Sequence, residues 1–454
     1  MKKHLTYTPD LNTHKIQINL PGSKSQSNRV LILCHQLEID LNLIENLSES
    51  RDTSILKQTL LNLNSLKHEI EKTSDFFNWA HYNLHDHEVS QLNNHVSNQL
   101  SHESFDFMDA GTPARLILAY FSALGILTNL TGNSSLENRS MQPLVDVLES
   151  GGAKFEFHKK SGHFPIEITR ALNKFPKAQI DRTLSSQYVS ALMLIAPMFK
   201  GEKTIHLNGI EHSSSYIQMT QKVLANFGIE STFNHNSIII EDQELVIPSQ
   251  ITIESDWSSA SYFYAACALI PQSEITINHL TSNSCQGDAA CASFFEDLGV
   301  KTSFHEQGCT ISNTGKTKQS IDWNLSNVPD LAPTLIVTAA ALGLEANIEG
   351  IENLKFKESN RIDVLNLNLQ QFGYELSQKS ESLDVFILRK LQNLEPQKNQ
   401  EILIQTYSDH RMAMAFAPLA ILKNIVFDDI QCVEKSFPNF WDELQKCNFE
   451  LKSL

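Results

Sequence analysis

A sixfold internal repeat constrains the fold of this chain more than any other feature. The segments LESGGAKFEF, LANFGIESTF, FEDLGVKTSF and LQQFGYELSQ each read as the end of an amphipathic helix, a glycine and a short strand. Their glycines, Gly152, Gly228, Gly299 and Gly373, recur at a nearly constant interval, close to one-sixth of the chain. The residue just past a helix often takes the left-handed conformation, which glycine adopts without steric cost. LQKCNFEL repeats the pattern one period further on with Asn448 in the glycine position, and LLNLNSLKHEI near residue 65 is a degenerate first copy.

A second series is interleaved with the first. Six apolar helices open on small, hydroxyl or charged residues: SKSQSNRVLIL from residue 23, GTPARLILAYF from 111, SSQYVSALMLI from 185, WSSASYFYAACAL from 257, LAPTLIVTAAAL from 331 and DHRMAMAFAPLAIL from 409. From the second onward these starts keep the period of the glycines. Both markers divide the 454 residues into six units. Each would hold one buried helix, one amphipathic helix and several short strands. The expected class is α+β with three units per domain. The chain would cross between halves near residues 20 and 250, where LPGS and VIPSQ interrupt the pattern. The expected domains are 1–20 with 251–454, and 21–250. The first step, from 23 to 111, is longer than the rest, and the excess lies near HYNLHDHEVSQLNNHVSNQLSHESF. Its histidines (81, 85, 87, 95 and 102) match no standard metal-ligand spacing, so a polar loop insertion is expected there, around 81–105.

Composition narrows the function classes. Apolar residues at 41% and charged residues at 19% exclude a disordered or fibrous chain. TLIVTAAALGL, at 334–344, falls short of the roughly 18 residues of a membrane span. Met1-Lys-Lys-His has no apolar run behind it, so no secretory leader is expected. Seven cysteines, an odd number with no CxxC pair, fit thiols in a reducing cytoplasm. A net charge of −16 argues against nucleic-acid partners. Anionic ligands would need basic residues gathered in one place against that field.

The starts of the apolar helices supply such a gathering. A helix N-terminus carries unsatisfied N–H groups and partial positive charge, and so suits an anion. Ser and Asp there also read as N-caps, and for one helix that reading would win. Here LPGSKSQSNR supplies Lys24 and Arg29, DAGTPAR supplies Gly111 and Arg115, LSSQY supplies Ser185, Ser186 and Gln187, and SDHRMAM supplies Arg411. The amphipathic-helix starts add Arg139 in ENRSMQP and Lys357, Glu358 and Arg361 in KFKESNRI. GSKS fails as a phosphate-binding P-loop, because Ser23 stands where that motif needs Gly. No GxGxxG follows a strand, so a dinucleotide fold has no support.

LPGSKSQSNR, DAGTPAR, LSSQYVSALMLIAP, DWSSASYF, SCQGD, VPDLAPTL, FKESNRI and SDHRMAMA, in this order, resemble the EPSP synthase (3-phosphoshikimate 1-carboxyvinyltransferase) family. The resemblance runs from about residue 20 to KSFPNFW at 435–441. It implies the enolpyruvyl transferase fold, a sixfold inside-out α/β barrel-like arrangement: two domains, each of three βαβαββ units, around an interdomain cleft. It also implies transfer of the enolpyruvyl group of phosphoenolpyruvate to the 5-hydroxyl of shikimate 3-phosphate, releasing phosphate, with no metal or organic cofactor. Both partners would be small molecules, each with a phosphate and a carboxylate. No nucleic acid or membrane is expected, and a cytoplasmic monomer is.

Roles carry over by motif. Lys24, Ser25 and Arg29 match residues that hold the shikimate carboxylate, and Lys24 also reaches phosphoenolpyruvate. Ser185, Ser186, Gln187 and Ser213 match the shikimate phosphate site, with Asn353 and Lys357 beside them; Tyr216 approaches the carboxylate. Gly111, Arg139, Gln187, Arg361, Arg411 and Lys435 match the phosphoenolpyruvate site. Asp330 and Glu358 are the acid–base candidates, Asp330 by the hydroxyls and Glu358 by the methylene carbon. Lys24 and Arg139 would stabilise charge on the departing phosphate.

Three positions depart from the commonest family pattern: Asp109 where Asn is frequent, Leu116 after Arg115 where many members have Pro, and Asn360 where Asp is frequent. They bear on affinity and inhibitor response rather than on activity. Two rival readings are weaker. The sister transferase acting on UDP-N-acetylglucosamine lacks the PGSKS and SSQ segments and uses a loop cysteine, and none lies here between Cys34 and Cys267. A non-catalytic repeat scaffold predicts interchangeable helix starts, whereas these differ unit by unit.

Overall fold

The computed structural model describes residues 3–9, 16–73, 104–181, 186–209, 214–234, 236–379, 384–392 and 401–453. The five histidines of the insertion, and with them Ser185 and Ser213, lie outside the described residues. By internal contacts the chain divides into two compact units. The first is Met1–Lys24, Asn46–Ser50 and Thr252–Leu454; the second is Ser25–Glu45 and Arg51–Ile251.

The repeat is built as strand, helix, strand, helix and hairpin. In the second unit, Ala178–Asp181 is followed by the helix Ser186–Ile195, the strand Lys203–Asn208, the helix Ser214–Asn226, and the hairpin Ser231–Asn234 with Ser237–Ile240. The first two strands pair parallel, with the helix as their crossover, and the hairpin adds two antiparallel strands. The copy beginning at Ser104–Asp106 has the same pairing. So does the copy beginning at Ile321–Asn324 in the first unit. Among the described residues there are five four-stranded sheets with this spatial order.

The residues before Pro21 complete two sheets of the first unit. Ile16–Ile18 pairs parallel with Glu274–Asn278, supplying the opening strand of the copy that contains the helix Trp257–Leu269. Lys3–Tyr7 lies between Ile425–Phe427 and Phe449–Ser453, supplying the last strand of the final copy. Next to Ile16–Ile18 in sequence, Gly22 bridges to Ser255 and leaves no room for a side chain, because a Cβ there would overlap the carbonyl of Asn46.

The five helix-end markers behave as their chemistry requires. Gly152, Gly228, Gly299, Gly373 and Asn448 have φ of +103°, +84°, +84°, +82° and +66°. The first-series helices are buried all round, as their unbroken apolar sequences demand: every residue of Ala332–Ala340 is buried. In the first unit this helix packs against Trp257–Leu269 and His410–Phe416, and in the second Gly111–Leu124 packs against Ser186–Ile195. The amphipathic helices bury one face only; Ser214–Asn226 buries Ile217, Val223 and Leu224 while Lys222 and Gln218 face outward. In the copies beginning at Ser104–Asp106, Ala178–Asp181, Ile321–Asn324 and Ile402–Ile404, the helices follow the carboxyl ends of the two parallel strands. In open α/β sheets that end is where ligands bind.

Candidate active site

Each unit carries its own cluster of charged groups at these strand ends. In the first unit the centre is Arg361, the first residue of the helix Arg361–Gln370, with 1% of its side chain exposed. Its Nε donates to Asp409 Oδ2 at 2.8 Å, and its Nη2 to Asp409 Oδ1 at 3.2 Å and Glu358 Oε2 at 2.7 Å. Its Nη1 donates to Asp330 Oδ1 at 3.2 Å. One guanidinium thus holds three carboxylates from two repeat copies. Burial works to lower the pKa of Arg361, but Asp409, Glu358 and Asp330 outweigh it and the net shift is upward.

Further cations surround the two acid–base candidates. Arg411 Nη2 lies 2.9 Å from Asp330 Oδ2, and Lys357 Nζ lies 3.7 Å from Asp330 Oδ1. Lys435 Nζ lies 3.6 Å from Glu358 Oε1. Arg411 also donates to the Tyr262 hydroxyl at 3.4 Å and to Ser258 Oγ at 3.5 Å. Burial pushes the Tyr262 hydroxyl up to about 12 even with Arg411 and Arg361 nearby, so it stays a neutral donor. The imidazole of His410 is held well below its usual range by burial and then by the Lys24 cation. Asn353, in the short 3-10 turn Glu352–Phe356, keeps its buried Oδ1 without a hydrogen-bond partner among the described residues.

Two carboxylates here were not assigned a role from sequence. Asp409 caps its helix by accepting from the Arg411 N–H at 3.0 Å, as its position in SDHR leads one to expect. Its bidentate bond to Arg361 joins residues 48 apart and has no local signal. Asp288 of SCQGD accepts a hydrogen bond from Ser258 of DWSSASYF, so two motifs without an expected role meet beside Arg411. Burial, and then the charge of Asp330, push the Asp288 carboxyl up to about 7.

In the second unit two guanidinium groups converge over Gly111, the first residue of the helix Gly111–Leu124. A Cβ on Gly111 would lie 2.7 Å from Nη1 of both Arg115 and Arg139. Arg115 is fixed by bonds to the Gly111 carbonyl at 2.8 Å and Gln187 Oε1 at 3.1 Å, and it lies over the ring of Tyr188. Gln187 in turn donates to Thr112 Oγ1 at 2.8 Å. Arg139 Nη2 is buried and has no hydrogen-bond partner among the described residues. A buried donor of this kind is costly unless an acceptor arrives. Arg115, expected only as a helix-start cation, proves to be the group that ties Gly111 to Gln187.

Also in the second unit, Arg29 is buried, donating to Thr220 Oγ1, Ser190 Oγ and the carbonyls of Ser25 and Tyr216. Ser186 is buried at the start of its helix. Lys24, in the first unit, has its backbone N–H 3.4 Å from Asp256 Oδ2. Among the described residues no group of three or more His, Cys, Asp or Glu is placed to hold a metal ion. No helix among them is long and apolar enough to cross a membrane.

Comparison with known proteins bears on this arrangement. The family "EPSP synthase (3-phosphoshikimate 1-carboxyvinyltransferase)" matches residues 12–444. A 3-phosphoshikimate 1-carboxyvinyltransferase of Bacteroides fragilis (strain YCH46) is 33% identical over 439 residues, 96% of each chain. One from Vibrio vulnificus (strain YJ016) is 31% identical over 435 residues, 94% of this chain and 95% of the relative. Among solved structures, an EPSP synthase from Acinetobacter baumannii matches with a TM-score of 0.68 at 20% identity, covering 99% of this chain and 100% of that one. The enolpyruvyl transferase NikO from Streptomyces tendae matches with a TM-score of 0.63 at 12% identity, covering 99% and 98%. At these identities the two structures speak for the fold.

Proposed function

Because the chain belongs to the EPSP synthase family, its reaction is transfer of the enolpyruvyl group of phosphoenolpyruvate to the 5-hydroxyl of shikimate 3-phosphate with release of phosphate, and we propose that the charged cluster around Arg361 performs the proton transfers. One observation carries this reading: a single buried guanidinium fixes both Asp330 and Glu358, and each carboxylate has a second cation beside it. Paired this way, two carboxylates can be held at fixed separation and tuned apart.

In the addition step Asp330 takes the proton of the 5-hydroxyl as that oxygen bonds to C2 of phosphoenolpyruvate. Glu358 delivers a proton to the methylene carbon, which becomes a methyl group. In the elimination step the methyl group gives a proton back to a carboxylate, the C2–phosphate bond breaks, and phosphate leaves with the bonding pair. Arg361, Arg411 and Lys435, with Lys24, Gly111, Arg139 and Gln187, bind phosphoenolpyruvate. The unpartnered Nη2 of Arg139 is the donor best suited to a phosphate oxygen. Lys24, Ser25, Arg29, Ser185, Ser186, Gln187, Ser213, Tyr216, Asn353 and Lys357 hold shikimate 3-phosphate. Cysteines that remain thiols fit a cytoplasmic enzyme, and a monomer without a cofactor is sufficient for this chemistry.

The test is phosphate release from the purified protein. Release that needs both shikimate 3-phosphate and phosphoenolpyruvate is the expected result. Release with UDP-N-acetylglucosamine as acceptor, or none with either acceptor, would overturn the reading. Arg139→Ala should raise the KM for phosphoenolpyruvate by about tenfold or more, the cost of losing a charge-assisted bond to an anion.

A further inference from the structure

We propose that Arg51 is a specificity-determining residue of the anion pocket at Gly111: it cancels the charge of Asp109 and so preserves the affinity for phosphoenolpyruvate. This rests on the reading of Gly111 and Arg139 as part of that substrate's site.

The sequence poses the problem. Asp109 stands two residues before Gly111, in the turn that leads into the helix where the guanidinium groups of Arg115 and Arg139 converge. A carboxylate in that turn repels any anion drawn there, and the pocket already works against a net charge of −16. The side chain of Asp109 is also only 17% exposed, so water screens it incompletely.

The structure supplies the answer from another helix. Arg51 Nη2 donates to Asp109 Oδ1 at 2.8 Å. Arg51 is the first residue of the helix Arg51–Thr73, where a cation opposes the positive end of the helix dipole. Arginine at that position is unfavourable for the helix alone, and its bond to Asp109 gives it a reason to be there. The helices Arg51–Thr73 and Gly111–Leu124 pack against each other, so the pair spans a seam that is already fixed. Arg51 Nε is buried and has no hydrogen-bond partner among the described residues, which leaves the bond to Asp109 to hold the guanidinium in place. The two residues therefore act as a unit: Asp109 anchors the guanidinium, and the guanidinium removes the electrostatic penalty that Asp109 imposes on the pocket.

The experiment is a double-mutant cycle with Arg51→Met and Asp109→Asn, reading both Michaelis constants and kcat by phosphate release. Arg51→Met removes the guanidinium charge beside Asp109 and should raise the KM for phosphoenolpyruvate about three- to tenfold, the reach of one partly screened charge. The KM for shikimate 3-phosphate and kcat should stay within twofold of the parent. Asp109→Asn alone should leave the KM for phosphoenolpyruvate unchanged or lower it. In the Arg51→Met background, Asp109→Asn should return that KM to within about twofold of the parent, a rescue that a merely structural bond would not give. An unchanged KM in Arg51→Met, or no rescue in the double variant, overturns the proposal. If Arg51→Met fails to fold, Asp109→Asn alone decides: a raised KM for phosphoenolpyruvate refutes charge cancellation. None of these outcomes touches the reading of the pocket itself, which Arg139→Ala tests separately.

Discussion

Asparagine in place of Asp330 keeps the side-chain shape and removes one negative charge from among three cations. Arg411, Arg361 and Lys357 lie 2.9, 3.2 and 3.7 Å from the carboxylate oxygens. At an effective dielectric of about 20 each contact is a gross attraction of roughly 5 kcal/mol, most of it offset by desolvation. The amide oxygen still accepts from Arg361, so folding should weaken by only about 1–3 kcal/mol. Turnover is affected differently. An amide cannot take the hydroxyl proton, and loss of a general base lowers kcat by about two to four orders of magnitude, or about 3–5 kcal/mol of transition-state stabilisation. The cations, meanwhile, gain net positive charge, so the KM for phosphoenolpyruvate should stay level or fall. Steady-state phosphate release, with a thermal melt as control, reads all three quantities. A kcat within tenfold of the parent refutes Asp330 as the base. A kcat loss matched by a rise in the KM for phosphoenolpyruvate shows that Asp330 serves binding instead.

Three further outcomes follow from the geometry. Gly111→Ala places a methyl group 2.7 Å from the guanidinium groups of Arg115 and Arg139, and Arg115 is too well anchored to move freely, so glyphosate, as a longer competitor, should lose more affinity than phosphoenolpyruvate; equal changes in its inhibition constant and in the KM for phosphoenolpyruvate would show that Gly111 does not line a shared pocket. The raised pKa of Asp288, about 7 against 3.8 for a free carboxyl, means that the folded state holds its proton where the unfolded state releases it. Its contribution therefore falls as pH rises from about 4 to about 7, and Asp288→Asn should gain melting temperature over the parent more at pH 8 than at pH 5; a pH-independent difference would remove that assignment. Six of the seven cysteines are buried, and burial pushes Cys34, Cys267 and Cys447 up to about 12, so Ellman's reagent should label no more than Cys285 before unfolding and all seven after it; rapid labelling of several thiols in the native protein would contradict the packing.

The repeat was legible because its markers are backbone demands. Gly152, Gly228, Gly299, Gly373 and Asn448 each end a helix in the left-handed region, and few residues satisfy that condition. The unbroken apolar helices were legible too, since only a helix buried on every side dispenses with a polar face. Pairing was another matter. Nothing in KHLTY announces that its partners are Ile425–Phe427 and Phe449–Ser453, because an alternating strand fits any complementary edge. In the site, Asp330, Glu358 and Arg361 were named from their motifs, but the bond that gathers them through Arg361 joins segments separated in sequence. Asp409 read as a cap because its local bond is a cap bond; the distant one is visible only in space. Asp109 was legible as an added charge near the pocket, and Arg51 as its counterweight was not.

The strand Lys3–Tyr7 also sets an order of events during synthesis. It meets Phe449–Ser453 residue for residue, and Lys3 Nζ bonds Ser453 Oγ across a separation of 450 residues. At about 5–20 residues per second, a ribosome needs roughly 20–90 s to make the intervening chain. Through that interval the first strand emerges with no partner, while the whole of Arg51–Ile251 can collapse into its own sheets. An unpaired strand edge is open to misassociation, which gives chaperones a specific segment to shield. The same adjacency suits a circular permutant: a short linker between residues 453 and 3, with new ends in an exposed loop, would place both halves of the last sheet close in sequence. Such a permutant should refold faster than the parent, because the closure of a very long loop would no longer limit the final sheet.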